Sequence, residues 1–302
     1  MLKGLPAALL LGLGAAAAVA APDPGHALLD QYAKLKSERP ALGDGLYVIS
    51  HQSGNEAGGE VFGLTDLPFA TAEARLRDPQ TWCDILFLHY NVKACTHSGT
   101  GRDSGLVLYL GRKYFQPLYK AYKVPGRFRI VAVTDDFLRV AVGAPQGPLG
   151  LDGYRITLQA TPDGQGRTLL HFTYSFNYGD LASWAMQGYF ATFGRDKIGF
   201  SRDRATGEPV AGIQGMVERN AMRYYLAIEA YAHTLSVPAE RRLDARLKDW
   251  FALTARYPRR LKEMDEKQYL TQKHKELAQA RRELPDRRPG PAPLERGGAA
   301  SP

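Results

Sequence analysis

Six short segments rich in β-branched and aromatic residues run through residues 91–176, and the connections between them are mostly short. They span 91–96, 106–110, 128–134, 138–142, 154–160 and 168–176. Arg129-Ile-Val-Ala-Val and Arg155-Ile-Thr-Leu-Gln alternate cleanly, and Asp163-Gly164 and Gly147-Pro148 mark turns. Parallel neighbours would each need a long crossover, so these connections favour an antiparallel meander. The longest helical pattern follows, from about residue 213 to residue 235. Val217, Ala221, Tyr224, Ile228, Tyr231 and Leu235 recur there at helical spacing and make one apolar stripe. Glu218, Arg219, Arg223, Glu229 and His233 fall elsewhere around that helix.

Ahead of the strand block, residues 26–38 read as a short amphipathic helix with Leu28, Tyr32 and Leu35 on one side, stopped by Pro40. Residues 46–50 and 60–65 read as strands on either side of a Gly-rich turn over 53–59. Pro68 suits the first turn of a helix through Ala74 and Leu76. Asp78-Pro79 opens another over 81–88, carrying Trp82, Ile85 and Leu86. Between the strands and the long helix, 181–193 is a largely apolar helix with Trp184, Met186, Tyr189 and Phe190. After Pro238 the chain is charged and helix-prone as far as 284, split by Pro258. Trp250, Phe251, Leu253, Tyr257 and Leu261 are its docking residues. From 285 onward the Pro, Gly, Arg and Ala content reads as a disordered tail.

The net charge of +8 is unevenly spread. Residues 239–302 hold sixteen Lys and Arg against ten Asp and Glu, a difference of +6, which leaves +2 on the first 238 residues. The basic character therefore belongs mainly to the C-terminal segment. Peripheral contact with an anionic membrane surface is one use for it, and a solvated helix face without a partner is the other. No nucleic-acid partner is expected.

The first twenty residues carry one positive charge, a Leu/Ala/Gly run broken by Pro6, and a small-x-small site at Ala18-Val-Ala20. This reads as a secretory signal peptide cut after Ala20, with an uncleaved membrane anchor as the alternative. The mature chain is expected to be exported, to the periplasm first and the medium second. ATP and NAD(P)H are absent there, so no cofactor is expected. The surroundings are also oxidising. Cys83 and Cys95 read first as a disulfide in that compartment. Free buried thiols are a second reading. A zinc site using Cys83, His89, Cys95 and His97 is a third, although no C-x-x-C or H-x-x-x-H spacing supports a metal.

The order of these elements resembles the helix-grip fold of the START-like superfamily over residues 60–235. Three segments carry the resemblance: Ala70-Thr-Ala-Glu-Ala-Arg-Leu-Arg-Asp-Pro-Gln-Thr-Trp82, with its DP-x-x-W turn; Tyr154-Arg-Ile-Thr-Leu-Gln-Ala; and Gly215-Met-Val-Glu-Arg-Asn-Ala-Met-Arg-Tyr-Tyr225. The resemblance implies an α+β fold in which a curved antiparallel sheet wraps a long C-terminal helix, here with extra C-terminal helices. It also implies a cavity for a lipid, a polyketide or another apolar small molecule. The domain plan is then 1–20 signal peptide, 21–58 N-terminal helix and strand, 59–237 ligand-binding domain, 238–284 basic helical extension and 285–302 tail.

Large aromatic side chains with a polar tip suit such a cavity. Tyr174, Tyr189, Tyr224 and Tyr231, with Trp82 and Trp184, are the candidates, against the plain reading of core filling. Arg219 and Arg223, four apart on one helix face, could hold an anionic headgroup with Asn220 and Glu218 completing the network. The competing reading is a salt bridge tying the helix start to Asp196 in the preceding loop. No G-x-S-x-G, H-E-x-x-H, Walker or G-x-G-x-x-G pattern is present. His89, His97 and His171 could each act as a base, without a convincing carboxylate partner. A binding or carrier protein for an apolar or amphipathic molecule is the first expectation. A cyclase- or hydrolase-like enzyme using His171 or His97, or a non-catalytic envelope adaptor, is the alternative.

Overall fold

The computed structural model describes residues 23–284 apart from Phe193 and Arg204. The expected signal peptide and C-terminal tail lie outside the described residues. The elements are α1 (Pro24–Glu38), β1 (Tyr47–Ser53), β2 (Glu56–Thr65), α2 (Phe69–Leu76), α3 (Pro79–Phe87), β3 (Val92–Ser98), β4 (Asp103–Leu110), β5 (Tyr122–Val133), β6 (Leu138–Gln146), β7 (Leu151–Pro162), β8 (Thr168–Tyr178), α4 (Asp180–Ala191), α5 (Gly212–His233), α6 (Ala239–Ala255), α7 (Pro258–Leu261) and α8 (Glu266–Glu283). Local chemistry sets several starts. Asp23 accepts the His26 N–H ahead of α1, and Asp78 accepts the Gln80 N–H ahead of α3. Both helices carry Pro in the first turn. Asp265 and Gln268 close a capping box on α8.

The strands form one antiparallel sheet in the order β1-β2-β8-β7-β6-β5-β4-β3. From β3 to β8 the chain meanders. β2 then pairs with β8, while α2 and α3 carry the chain between β2 and β3 at opposite sides of the sheet. Register shifts in β3, β5 and β7 bend the strands, so the sheet curves around α5. This is the expected α+β helix grip.

Two local differences have physical causes. Gly58-Gly59 reads as turn, yet both lie in β2, and the hairpin turn is Gly54-Asn55 alone. A Cβ on Gly59 would come within 2.7 Å of the Val217 carbonyl oxygen, and one on Gly63 would strike the Tyr225 hydroxyl. Those glycines let α5 lie directly on β2. β1 is accordingly the edge strand of the main sheet, and β2 runs through the expected boundary at 58/59. The strand expected from residue 128 begins earlier, at Tyr122, and takes in Pro125 and Gly126. Its first residues pair with β4 only, because pairing with β6 starts at Arg127. An unpaired flank of that kind is where a strand tolerates proline.

α1 covers the outer sheet face, with Leu28, Tyr32 and Leu35 packed on Tyr47, Phe62, Phe137 and Leu169. α6, α7 and α8 contribute Leu247, Trp250, Leu253, Leu261 and Tyr269 to the main core. The basic extension is therefore part of the packed body. Its innermost charges are buried: Lys93 of β3 pairs with Glu276 at 2.7 Å, and Lys273 pairs with the same carboxylate at 3.1 Å. The ammonium of Lys273 also donates to the carbonyls of His89 and Val92.

Cys83 of α3 and Cys95 of β3 form a disulfide, so the first of the three cysteine readings holds. A loop of this size removes on the order of 3 kcal/mol of chain entropy from the unfolded state. Reduction, or a Cys83→Ser/Cys95→Ser double substitution, is expected to lower unfolding stability by about that amount. Chemical denaturation with and without reductant checks it, and an unchanged midpoint would contradict it.

Candidate ligand-binding cavity

α5 makes its main sheet contacts with β1, β2 and β8. The close approach at Gly59 and Gly63 holds it to that side of the sheet. The inner faces of β4, β5, β6 and β7 curve away from it, and the space left is a cavity of about 1160 Å³. Its walls follow the two-residue strand period: Leu106, Leu108 and Leu110 on β4, Val124 and Gly126 on β5, Val142 and Ala144 on β6, Tyr154 and Ile156 on β7, Tyr174 and Phe176 on β8. Met216, Asn220 and Tyr224 of α5 form the roof. The mouth lies between the 111–122 connection, the turn at Pro148–Gly150 and Tyr189 of α4. Such a volume sits at the upper end of small-molecule sites, about 1,000 Å³.

The polar groups of the interior are few. His89 is 4% exposed and lines the cavity, its ring stacked on Tyr224 at 4.7 Å. Burial first, then the charges of Arg223 and Lys273, hold its imidazole well below the usual range, so the ring is neutral. Nδ1 accepts the Asn91 N–H at 3.2 Å. Nε2 therefore carries the proton. It has no hydrogen-bond partner, although Asn220 lies beside it. Burial also pushes the hydroxyls of Tyr154, Tyr174 and Tyr224 up, which keeps them protonated. The interior thus offers donors and no charge.

Cations line the mouth: Arg112, Lys113, Lys120 and Arg155, with no carboxylate among the lining residues. Behind them Glu263 pairs with Lys113 at 2.6 Å, Arg223 at 2.7 Å and Lys197 at 3.1 Å. Burial pushes the Glu263 carboxyl up, but Arg223 and Lys113 outweigh it and hold it below the usual range. Burial takes Lys113 down to about 8 against the pull of Glu263.

Of the nine residues expected at the ligand, Tyr174, Tyr189, Asn220 and Tyr224 stand in the cavity wall. The other five face elsewhere. Trp82 is fully buried in the core and donates its indole N–H to the Leu76 carbonyl. Tyr231 bonds Thr81 at 2.9 Å, away from the cavity. Trp184 is 77% exposed on the outer side of α4. Arg219 donates to the carbonyls of Lys197 and Ile198, and Arg223 to Glu263 and the Leu261 carbonyl. Both guanidinium groups are thereby used in holding the 197–201 loop and α7 against α5. Their partner is not Asp196, which is 95% exposed and, among the described residues, meets only Arg195 at 3.9 Å. Glu218 likewise binds the loop, accepting from the Ser201 N–H, the Phe200 N–H and the Ser50 hydroxyl.

His97 and His171, the candidate bases, do not line the cavity. His97 meets Gln80 and the Gly99 carbonyl. His171 stacks on Phe62 and meets Glu60 at 2.7 Å and Gln159 at 3.2 Å. The residues that the sequence did not point to are Tyr154, Leu149 and the 111–122 connection. That connection falls between expected strands, and its clue is composition: four aromatic and three basic residues in twelve.

The architecture is a helix grip, one antiparallel sheet curved around α5. Solved structures similar to the chain include norcoclaurine synthase from Thalictrum flavum, at 13% identity over 47% of this chain and 76% of that one, with a TM-score of 0.32. Human StAR-related lipid transfer protein 5 is similar at 12% identity over 55% and 87%, with a TM-score of 0.33. Ara h 8.0201 is similar at 10% identity over 62% and 98%, with a TM-score of 0.33. No protein-family model matches the chain, and no curated protein matches it. The fold assignment stands on the sheet order and on the seating of α5; the chemistry of the site stands on this chain's own residues.

Proposed function

We propose that this is an exported binding or carrier protein for an apolar or amphipathic small molecule, of the lipid class, held between the sheet and α5. The observation that carries the reading is the cavity of about 1160 Å³ with the unpartnered Nε2–H of His89 in its wall. Burying an alkyl chain there contributes about 0.8 kcal/mol per CH₂. A carbonyl or hydroxyl oxygen on the ligand accepts from His89 and meets Asn220, while Tyr174, Tyr189 and Tyr224 line its path. Export is supported by the N-terminal sequence pattern and by the disulfide between Cys83 and Cys95.

The test is displacement of cavity-bound anilinonaphthalene sulfonate by a long-chain methyl ketone and by the alkane of equal length. Both are expected to displace it, the ketone more tightly. His89→Phe is expected to weaken the ketone about tenfold and leave the alkane unchanged, since a hydrogen bond of about 1.4 kcal/mol is lost. Equal loss for both ligands removes the role of His89. No displacement by either removes the carrier reading.

A further inference from the structure

We propose that the cavity mouth is a docking surface for an anionic lipid bilayer. Trp184, Leu149 and Tyr119 enter the interface, and Arg112, Lys120 and Arg155 meet the headgroups. This goes beyond the carrier reading, because it concerns the outer rim and stands whether or not the cavity is filled.

The exposed large apolar side chains among the described residues are Tyr114, Tyr119, Tyr122, Val131, Leu149, Trp184 and Tyr189. Tyr114, Tyr122, Leu149 and Tyr189 line this one opening, Tyr119 adjoins the lining Lys120 in sequence, and Trp184 lies on the same helix as Tyr189. Scattered exposed apolar residues are ordinary, but a ring of them around one mouth is an interaction surface. Tyrosine and tryptophan are also the side chains that settle at a membrane–water boundary.

α4 supplies one side of the ring. Residues 181–194 carry no charged side chain. Ala182, Met186 and Phe190, four apart, pack with Tyr178, Ile213 and Met216. Trp184, Ala185 and Gly188 on the other side are exposed. Twelve residues of helix reach only about 18 Å, well short of the roughly 30 Å hydrocarbon core, so α4 would lie along the interface and not cross it.

Leu149 supplies a second side. Among the described residues it is the one non-glycine with positive φ, at 63°. It stands between Pro148 and Gly150 with its side chain 77% exposed. A leucine held in the left-handed region and pointed at solvent gains nothing for the folded monomer, and such outliers cluster at binding surfaces.

Charge decides the occupant. Arg112, Lys113, Lys120 and Arg155 line the mouth without an acidic residue among the lining groups. Lys113 is already paired with Glu263. The others are left to face an anionic surface, each contributing severalfold to its affinity. A second copy of this chain would bring the same cations against its own, which disfavours a dimer through this face.

The protein as the cell processes it would be mixed with vesicles of phosphatidylcholine alone, and of equal parts phosphatidylcholine and phosphatidylglycerol, then floated on a gradient. It is expected to float with the anionic vesicles and to release as salt is raised. Trp82 and Trp250 are buried, so Trp184 is the one exposed tryptophan of the three. Its emission is expected to shift to the blue on binding and to be quenched by brominated acyl chains. Trp184→Ala and Leu149→Gly are each expected to weaken vesicle binding about tenfold. Leu149→Gly also relieves the backbone, so its thermal stability is expected to be kept or raised, which separates lost docking from lost folding. Arg112→Glu with Lys120→Glu is expected to remove the preference for the anionic vesicles. Equal flotation with both compositions, no flotation at low salt, or a dimer that buries Trp184 without lipid would overturn the proposal. Ligand displacement from the cavity is read separately, so either claim can fail alone.

Discussion

Glu276→Ala is expected to destabilise the protein by about 3–5 kcal/mol, the cost of leaving buried ions without their counter-charge. Glu276 is almost wholly buried and, among the described residues, is the one carboxylate against the ammonium groups of Lys93 and Lys273, which are equally buried. Burial already takes Lys273 down to about 8, against the upward pull of Glu276, and lowers Lys93 as well. Without the carboxylate both fall further. A lysine whose folded pKa lies below its unfolded value binds fewer protons folded than unfolded between those two values. The stability of the variant is therefore expected to climb as pH rises from neutrality toward about 10, closing part of its gap to the parent. Urea unfolding at neutral and alkaline pH measures this. A loss under 1 kcal/mol, or a gap that stays constant with pH, would contradict the account of the triad.

The second large effect is a pH dependence centred on Glu229 of α5. Burial raises its carboxyl to about 7 from its usual 4.5, against the opposing pull of His233. Oε1 has no hydrogen-bond partner. Between about pH 4.5 and 7 the unfolded chain has released this proton and the folded chain keeps it. The folded state then binds more protons, so stability falls as pH rises through that window and levels off above it. The shift corresponds to about 3 kcal/mol. Glu229→Gln is expected to match the parent near pH 4.5 and to exceed it by about 3 kcal/mol at pH 8. Paired denaturation curves at the two pH values decide it. A variant offset that is the same at both would remove Glu229 as the origin.

The fold was legible where a period in the sequence is enforced by burial. The clean alternation in β7 and the helical stripe of α5 survive as rows that touch the main core, whereas the alternation in β5 is broken by the register shift between Ile130 and Ala132, which puts Ile130 and Val133 on the main core and Ala132 on the α1 side. Legibility failed where a residue's local preference is opposed by a distant neighbour. Gly58 and Gly59 look like turn residues, but β2 needs its glycines for the approach of α5; and the strand expected from 128 starts at Tyr122, because β5 tolerates Pro125 on a flank that β6 does not pair. The same holds for the site. Tyr174, Asn220 and Tyr224 sit on regular elements whose faces can be counted, and all three reach the cavity. Arg219 and Arg223 share a face as expected, but the carboxylate that claims Arg223 is Glu263, forty residues further on. Lys273 and Glu276 read as solvated helix charges until β3 brings Lys93 to them. The tautomer of His89 depends on a single backbone N–H from Asn91, which no side-chain pattern records.

Native mass spectrometry of the protein purified from its native source, followed by organic extraction, tests the central claim most directly. The account predicts a mass increment of one small amphipathic molecule per chain, carrying an alkyl or ring body and an oxygen acceptor, and lost on extraction. A clean apo mass that also fails to shift when oleic acid or a lysophospholipid is added would contradict it.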